Sequence, residues 1–176
     1  MANEVNRIPT VLVDHAIYLG NSRLIGTGEV TLPSISPQTA SVEGAGIGGS
    51  LDVPVLGHFD SMSLEIAFRT VELDAAELMK PVAHDLVIRG SQQSYDGAGG
   101  TLKTEPVVVY VRGMLKGNDQ GKFKAGESVD GKVELEVLRI KMVKAGKELY
   151  EVDKLNGIYT VLGTDYTASV RSDLGI

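Results

Sequence analysis

Along "DSMSLEIAF" (60–68) apolar and polar residues alternate, with Met62, Leu64, Ile66 and Phe68 on one side and Ser61, Ser63, Glu65 and Ala67 on the other. A period of two means a strand with one buried and one wet face. The same period recurs over most of the chain. "TVLVDHAIYL" (10–19) predicts a first strand, which "GNSR" turns into "LIGTGEVTL" (24–32) as a hairpin. "HDLVIRGSQQSYD" (84–96) and "LKTEPVVVYVRGML" (102–115) flank the turn glycines of "GAGG" (97–100) and predict a second hairpin. Val107 to Val111 is apolar at every position, so its strand is buried on both faces, or has one face in a core and the other in a subunit interface. In "KVELEVLRIKMV" (132–143) the pattern slips. Val133, Leu135 and Val137 share one parity, and Leu138, Ile140 and Met142 the other, which predicts a β-bulge or a strand that changes its buried face. "AGKE" (145–148) then turns into "LYEVD", a third hairpin.

Helix signals are few. "DAAELMKP" (74–81) opens with Asp74 as N-cap and Glu77 three residues later, a capping-box spacing, and Pro81 stops it. A second short helix is predicted in "DYTASVRSDLG" (165–175), closed by Gly175. The fold class is mainly β (α+β), with one or two short helices. The 176 residues read as one domain, 1–176, with an extended loop at about 33–58 and a C-terminal segment at about 154–176.

Composition narrows the function classes. With no cysteine, a disulfide framework, a thiolate zinc site and a cysteine nucleophile are excluded. No signal-peptide pattern opens the chain and no segment approaches the roughly 20 apolar residues of a membrane helix. Synthesis in the cytoplasm with no membrane partner is expected. The net charge of −6 disfavours a tight grip on nucleic-acid phosphates.

The chemical motifs fail on context. Gly44, Gly46 and Gly49 match the G-x-G-x-x-G dinucleotide spacing, but two prolines precede them, Pro54 follows, and no helix is predicted after them. Gly126, Gly131 and Lys132 match a phosphate loop, but Val133 stands where Ser or Thr must ligate magnesium. His15, His58 and His84 are scattered without metal-ligand spacing, and no G-x-S-x-G elbow occurs. No catalytic residue, metal site or cofactor is expected, and a structural or binding role is left.

The order of short motifs resembles the major tail tube protein of contractile-tailed phages and R-type bacteriocins. "VTLPSIS" followed by "SVEGAGIGGSLDVPVLG" resembles the family's T-L-P segment and glycine-rich loop, and "SMSLEIAF" the strand after it. "VRGMLKGNDQGKFKAGE" resembles an R-G strand end and a loop closing in K-x-G-E. "GKELYEVDKLNG" resembles a late hairpin, and "VRSDLGI" the terminal R-x-x-L-G-aliphatic ending. The resemblance implies a compact β-sandwich or barrel-like domain that forms hexameric rings. These stack into the inner tube of a contractile tail in the virion, inside a sheath, with baseplate and terminator proteins at the ends. Tape-measure protein or DNA passes through the lumen without specific binding. Similar tubes serve type VI secretion systems.

This reading gives the glycine-rich segment a purpose. In an assembly it lies across a neighbour, so Gly44, Gly46, Ile47, Gly48, Gly49, Leu51, Val53 and Val55 are interface candidates, with Lys122, Phe123 and Lys124 as a second set. Glu65, Glu134 and Glu136, on the wet faces of long strands, are candidates for an acidic lumen wall past which DNA slides. The alternative is a β-sandwich module for carbohydrate or cell wall, which the absence of tryptophan disfavours.

Overall fold

A computed structural model describes residues 6–20, 22–24, 27–44 and 46–176. In chain order the elements are β1 (Arg7–Leu19), β2 (Ser22–Arg23), β3 (Thr27–Thr31), β4 (Pro37–Val42), β5 (Leu51–Phe59), β6 (Ser63–Phe68), α1 (Leu73–Leu78), β7 (His84–Asp96), β8 (Thr101–Asp119), β9 (Gly131–Lys144), β10 (Lys147–Asp153), β11 (Ile158–Val161), β12 (Thr164–Asp165) and α2 (Ala168–Leu174). The main antiparallel sheet runs β12-β11-β10-β9-β8-β7-β1-β2, and a separate two-stranded sheet pairs β4 with β5.

β9 is the strand on which the sheet divides. One edge pairs with β8 along nearly its whole length. The other edge pairs with β6 over Gly131–Glu136 and with β10 over Arg139–Lys144. Leu138 lies between the two branches as the extra residue of a bulge: Val137 faces Gly113 and Arg139 faces Arg112. The predicted parity slip is this bulge. It keeps Val133, Leu135 and Val137 buried on one side of it and Ile140 buried on the other. Backbone donors bridge the fork, from Val137 N–H to the Met62 carbonyl at 2.7 Å and from Lys154 N–H to the Leu138 carbonyl at 3.0 Å. These two bonds give the backbone partners where the two branches part.

The branches enclose one core. Leu64, Ile66 and Phe68 of β6 meet Val109 and Val111 of β8, Leu86 and Ile88 of β7, Ile17 of β1, Val152 of β10 and Leu78 of α1. The alternation over 61–68 places Met62, Leu64, Ile66 and Phe68 inside as expected. In the apolar run of β8, Val109 and Val111 face the core and Tyr110 faces solvent. Burial of the run on both faces within the chain is thereby corrected, since Tyr110 leaves one face open.

Three further expectations are corrected. The strand at 10–19 does not form a hairpin with 24–32; β1 pairs with the stub β2 and with β7, and β3 crosses to β6. Asn21, Ile25 and Gly26 of that predicted turn and strand lie outside the described residues. α1 begins two residues earlier, with Glu72 as N-cap in place of Asp74 and no side-chain cap; Asp74 sits in the first turn, where its charge still suits the helix dipole. The extended loop at 33–58 is mostly a β-hairpin, because Val42 pairs with Leu51 and Ser41 with Asp52 in ladder register. The other two predicted hairpins form, and Gly175 caps α2 in the left-handed conformation.

A candidate assembly surface

The β4–β5 hairpin is an arm. Among the described residues it makes no ladder with the main sheet, and every residue from Pro37 to Leu56 that lies in its strands is exposed. Its root is fixed: Asp60 N–H donates to the Ser36 carbonyl at 2.9 Å, and the buried Phe59 ring meets Tyr159 edge-on with centroids 5.1 Å apart. Cross-strand partners share a face, so Val42 with Leu51 and Ala40 with Val53 form one apolar stripe, continued by Val55. Leu51 is 55 % exposed and Val53 40 %. A lone two-stranded ribbon is marginal in water, and contiguous exposed apolar patches are a general mark of interaction sites.

The glycine cluster forms the arm's tip. Gly44, Gly46 and Gly49 have φ of +150°, +95° and +152°, a region that side chains resist, and Ile47 N–H closes a turn onto the Gly44 carbonyl at 3.1 Å. A strand follows instead of a helix, so the dinucleotide spacing has no phosphate-binding context. Gly126, Gly131 and Lys132 likewise lead into β9, a strand. Gly48 and Ile47 sit exposed at the same tip.

Lys122, Phe123 and Lys124 protrude from the loop between β8 and β9. Gly121 N–H donates to Asp119 Oδ1 at 2.9 Å, Lys122 N–H to the Val129 carbonyl at 2.8 Å, and Lys124 pairs with Glu127. The loop is thereby held in shape with the Phe123 ring 88 % exposed at its crest. Its anchor is Gly121, at φ +71°, where an added Cβ would lie 2.0 Å from the Val129 carbonyl oxygen. Gly121→Ala is therefore expected to destabilise the chain by about 1–3 kcal/mol, read as a lower thermal midpoint. A midpoint unchanged from wild type would show that the loop refolds without cost.

Glu65, Glu134 and Glu136 do come together, on the outward face where Glu65 pairs with Glu134 and Ser63 with Glu136 across β6 and β9. They are not a bare acidic wall. Lys116 lies 3.1 Å from Glu134, Lys154 lies 2.7 Å from Glu136 and Lys132 lies 3.7 Å from Glu65. The pairing continues along the face through Arg112–Asp85, Arg139–Glu151, Arg139–Asp153 and Lys141–Glu148. Hydrogen bonds from Ser63 and Lys116 hold Glu134 below the usual carboxylate pKa. Burial opposes ionisation of Glu136 and Glu151, but Lys154 and Ser61 at the first and Lys141 and Arg139 at the second outweigh it and lower both. Arg171 likewise lowers Asp165.

These shifts fix the sign of the acid response. A carboxylate depressed in the fold stays ionised where the unfolded chain is already protonated, so the unfolded state binds more protons as pH falls. The stabilisation is complete above the ordinary carboxylate values and is lost progressively as pH falls below them and through the lowered values of the fold. Urea midpoints measured between pH 7 and pH 3 are expected to be flat at first and then to fall; a midpoint that rises on acidification would contradict the ion-pair account.

One exposed apolar strip escaped the sequence reading. Ile8, Val11, Leu12 and Val13 of β1 are all more than half exposed, and β1 loses register against β7 between Pro9 and Leu12 and again between Leu12 and Asp14. The available signal was the unbroken apolar run at 11–13, which no alternating strand with a wet face explains. Near the arm's root, a groove between β5 and α2 is lined by Leu56, Leu155, Val170, Leu174 and Ile176 together with Lys154 and Arg171.

A family model described as phage tail tube protein FII matches residues 9–175. The tail tube protein of Escherichia phage P2 is 31% identical over 151 residues, covering 84% of this chain and 86% of that protein. Among solved structures, the sheath/tube terminator of the extracellular contractile injection system PVC has a TM-score of 0.53 at 16% identity, covering 77% of this chain and 96% of that one. The PVC sheath–tube complex gives a TM-score of 0.51 at 15% identity, covering 73% of this chain and 87% of that one. The tube-terminating cap of the anti-feeding prophage gives 0.54 at 15% identity, covering 78% and 91%.

Proposed function

The chain belongs to the phage tail tube protein FII family and is a structural tube subunit, and from that premise we propose how its copies join. The apolar stripe of the β4–β5 arm carries the reading. Leu51, Val53 and Val55 stand in water on a ribbon too thin to need them for its own packing, and burial against a neighbour removes them from it. Gly44, Gly46, Ile47, Gly48 and Gly49 let the tip follow the neighbour's surface. Copies close into hexameric rings through one heterologous contact and stack without closure through another. The role is structural and not catalytic, within a contractile tail in the virion, with the chain made in the host cytoplasm.

The neighbouring structures are titled for a sheath–tube complex and for tube terminators. By the same architecture this tube lies inside a sheath, is capped by a terminator and starts on a baseplate. Tape-measure protein and then DNA occupy the bore. Glu65, Glu134 and Glu136 face that bore, and their lysine partners make it a charge-paired wall instead of an acidic one. Such a wall offers phosphates no run of uncompensated cations to bind. A tube reconstruction with Glu134 on the outer surface would remove this assignment. Native mass spectrometry tests the ring itself: the expected species is six chains, and a chain that stays monomeric at every concentration overturns the proposal.

A further inference from the structure

The long β8–β9 hairpin carries a knob at one end and a hole at the other. The knob is Phe123, the crest of the loop after β8, flanked by Lys122 and Lys124. The hole is a hollow of about 280 Å³ lined mainly by apolar side chains, Leu12, Leu32, Ile88, Val107 and Met142 among them, with Glu29 and His15 as its polar members. Glu29 is exposed and has no ion pair among the described residues. An apolar cavity of roughly 150 Å³ is enough to hold a benzene ring, so this one admits a phenyl side chain.

We propose, resting on the tube reading above, that Phe123 of one copy seats in this hollow of a second copy and that the contact joins successive rings. Three observations support that occupant. An aromatic ring this exposed has no packing role in its own chain. The charges match, with Lys122 beside the knob and Glu29 beside the hole. The groove between β5 and α2 is a poorer receptor, since its lining holds no acidic side chain to meet the flanking lysines, and its own Lys154 and Arg171 are paired with Glu136 and Asp165.

The geometry sets the direction of growth. Val107 lies in the hollow and Asp119 at the foot of the Phe123 loop, in one strand. Twelve residues at about 3.3 Å each put knob and hole roughly 40 Å apart. Joined head to tail, each copy leaves one knob and one hole unfilled, so the contact propagates; an antiparallel pair would fill both at once and end growth. The repeat it implies along the strand direction is about 40 Å.

The test uses a photoreactive benzophenone analogue of phenylalanine at position 123, in full-length chain mixed with an excess of unmodified chain so that tubes form. Irradiated tubes are expected to give dimers crosslinked to peptides containing Glu29–Leu32, Val107–Val109 or Met142 of the other copy. Crosslinks to any other surface, or tubes without intermolecular crosslinks, overturn the inference and leave the tube reading standing. Failure of the unmodified chain to form tubes overturns that reading and this inference with it. A charge exchange gives a second readout: Glu29→Lys and Lys122→Glu are each expected to shorten tubes, and the two together to restore their length. Equal shortening by the single and double variants counts against the pairing.

Discussion

Leu51→Asp with Val53→Asp is expected to leave the chain folded and to abolish tubes. Both side chains are exposed on the arm and neither belongs to the core. Their replacement therefore costs the isolated chain no packed contact, and surface changes of this kind shift stability by about ±0.5 kcal/mol. In the proposed assembly the same positions are buried, and each aspartate would be an unpaired charge in an apolar contact, which costs several kcal/mol of desolvation. Asp52 on the opposite face of β5 is the internal control, since Asp52→Ala leaves the stripe intact. The measurement is a urea midpoint together with negative-stain microscopy. Normal tubes from the double aspartate variant would exclude the arm from the interface.

Leu135→Ala has the opposite expected signature. Leu135 is fully buried at the centre of β9, level with Leu64 on β6 and Leu115 on β8, where the sheet divides. The site has little room to collapse: an added Cβ on Gly113 would already lie 3.3 Å from the Leu135 Cβ. A cavity that cannot close places the loss high in the usual Leu→Ala range, about 3–5 kcal/mol. That is a large share of the 5–15 kcal/mol by which domains are typically stable. The thermal midpoint should fall by roughly 10 °C or more. A loss under about 1 kcal/mol would mean that the two branches share less of a core than their packing indicates.

The parts of the fold that local pattern controls were legible. The parity change at Leu138 is a sequence property, and the bulge follows from it because Ile140 would otherwise point to solvent. The failures are non-local. "LIGTGEVTL" reads as the second half of a hairpin, yet β3 pairs with β6, more than thirty residues later, because Val30 packs against the core from that side. The arm was hidden by its own prolines and glycines, although the alternation of Leu51, Val53 and Val55 was in plain view. The acids were legible as a wet face, but their partners were not. Lys116 and Lys154 come from different parts of the chain, and only the fold sets them beside Glu134 and Glu136. A carboxylate's charge can be read from sequence; its neutralisation cannot.

Negative-stain electron microscopy of the purified wild-type chain at rising concentration tests the central claim most directly. The account predicts rings that lengthen into hollow tubes of uniform diameter. A monodisperse monomer at the highest concentration reached would contradict it.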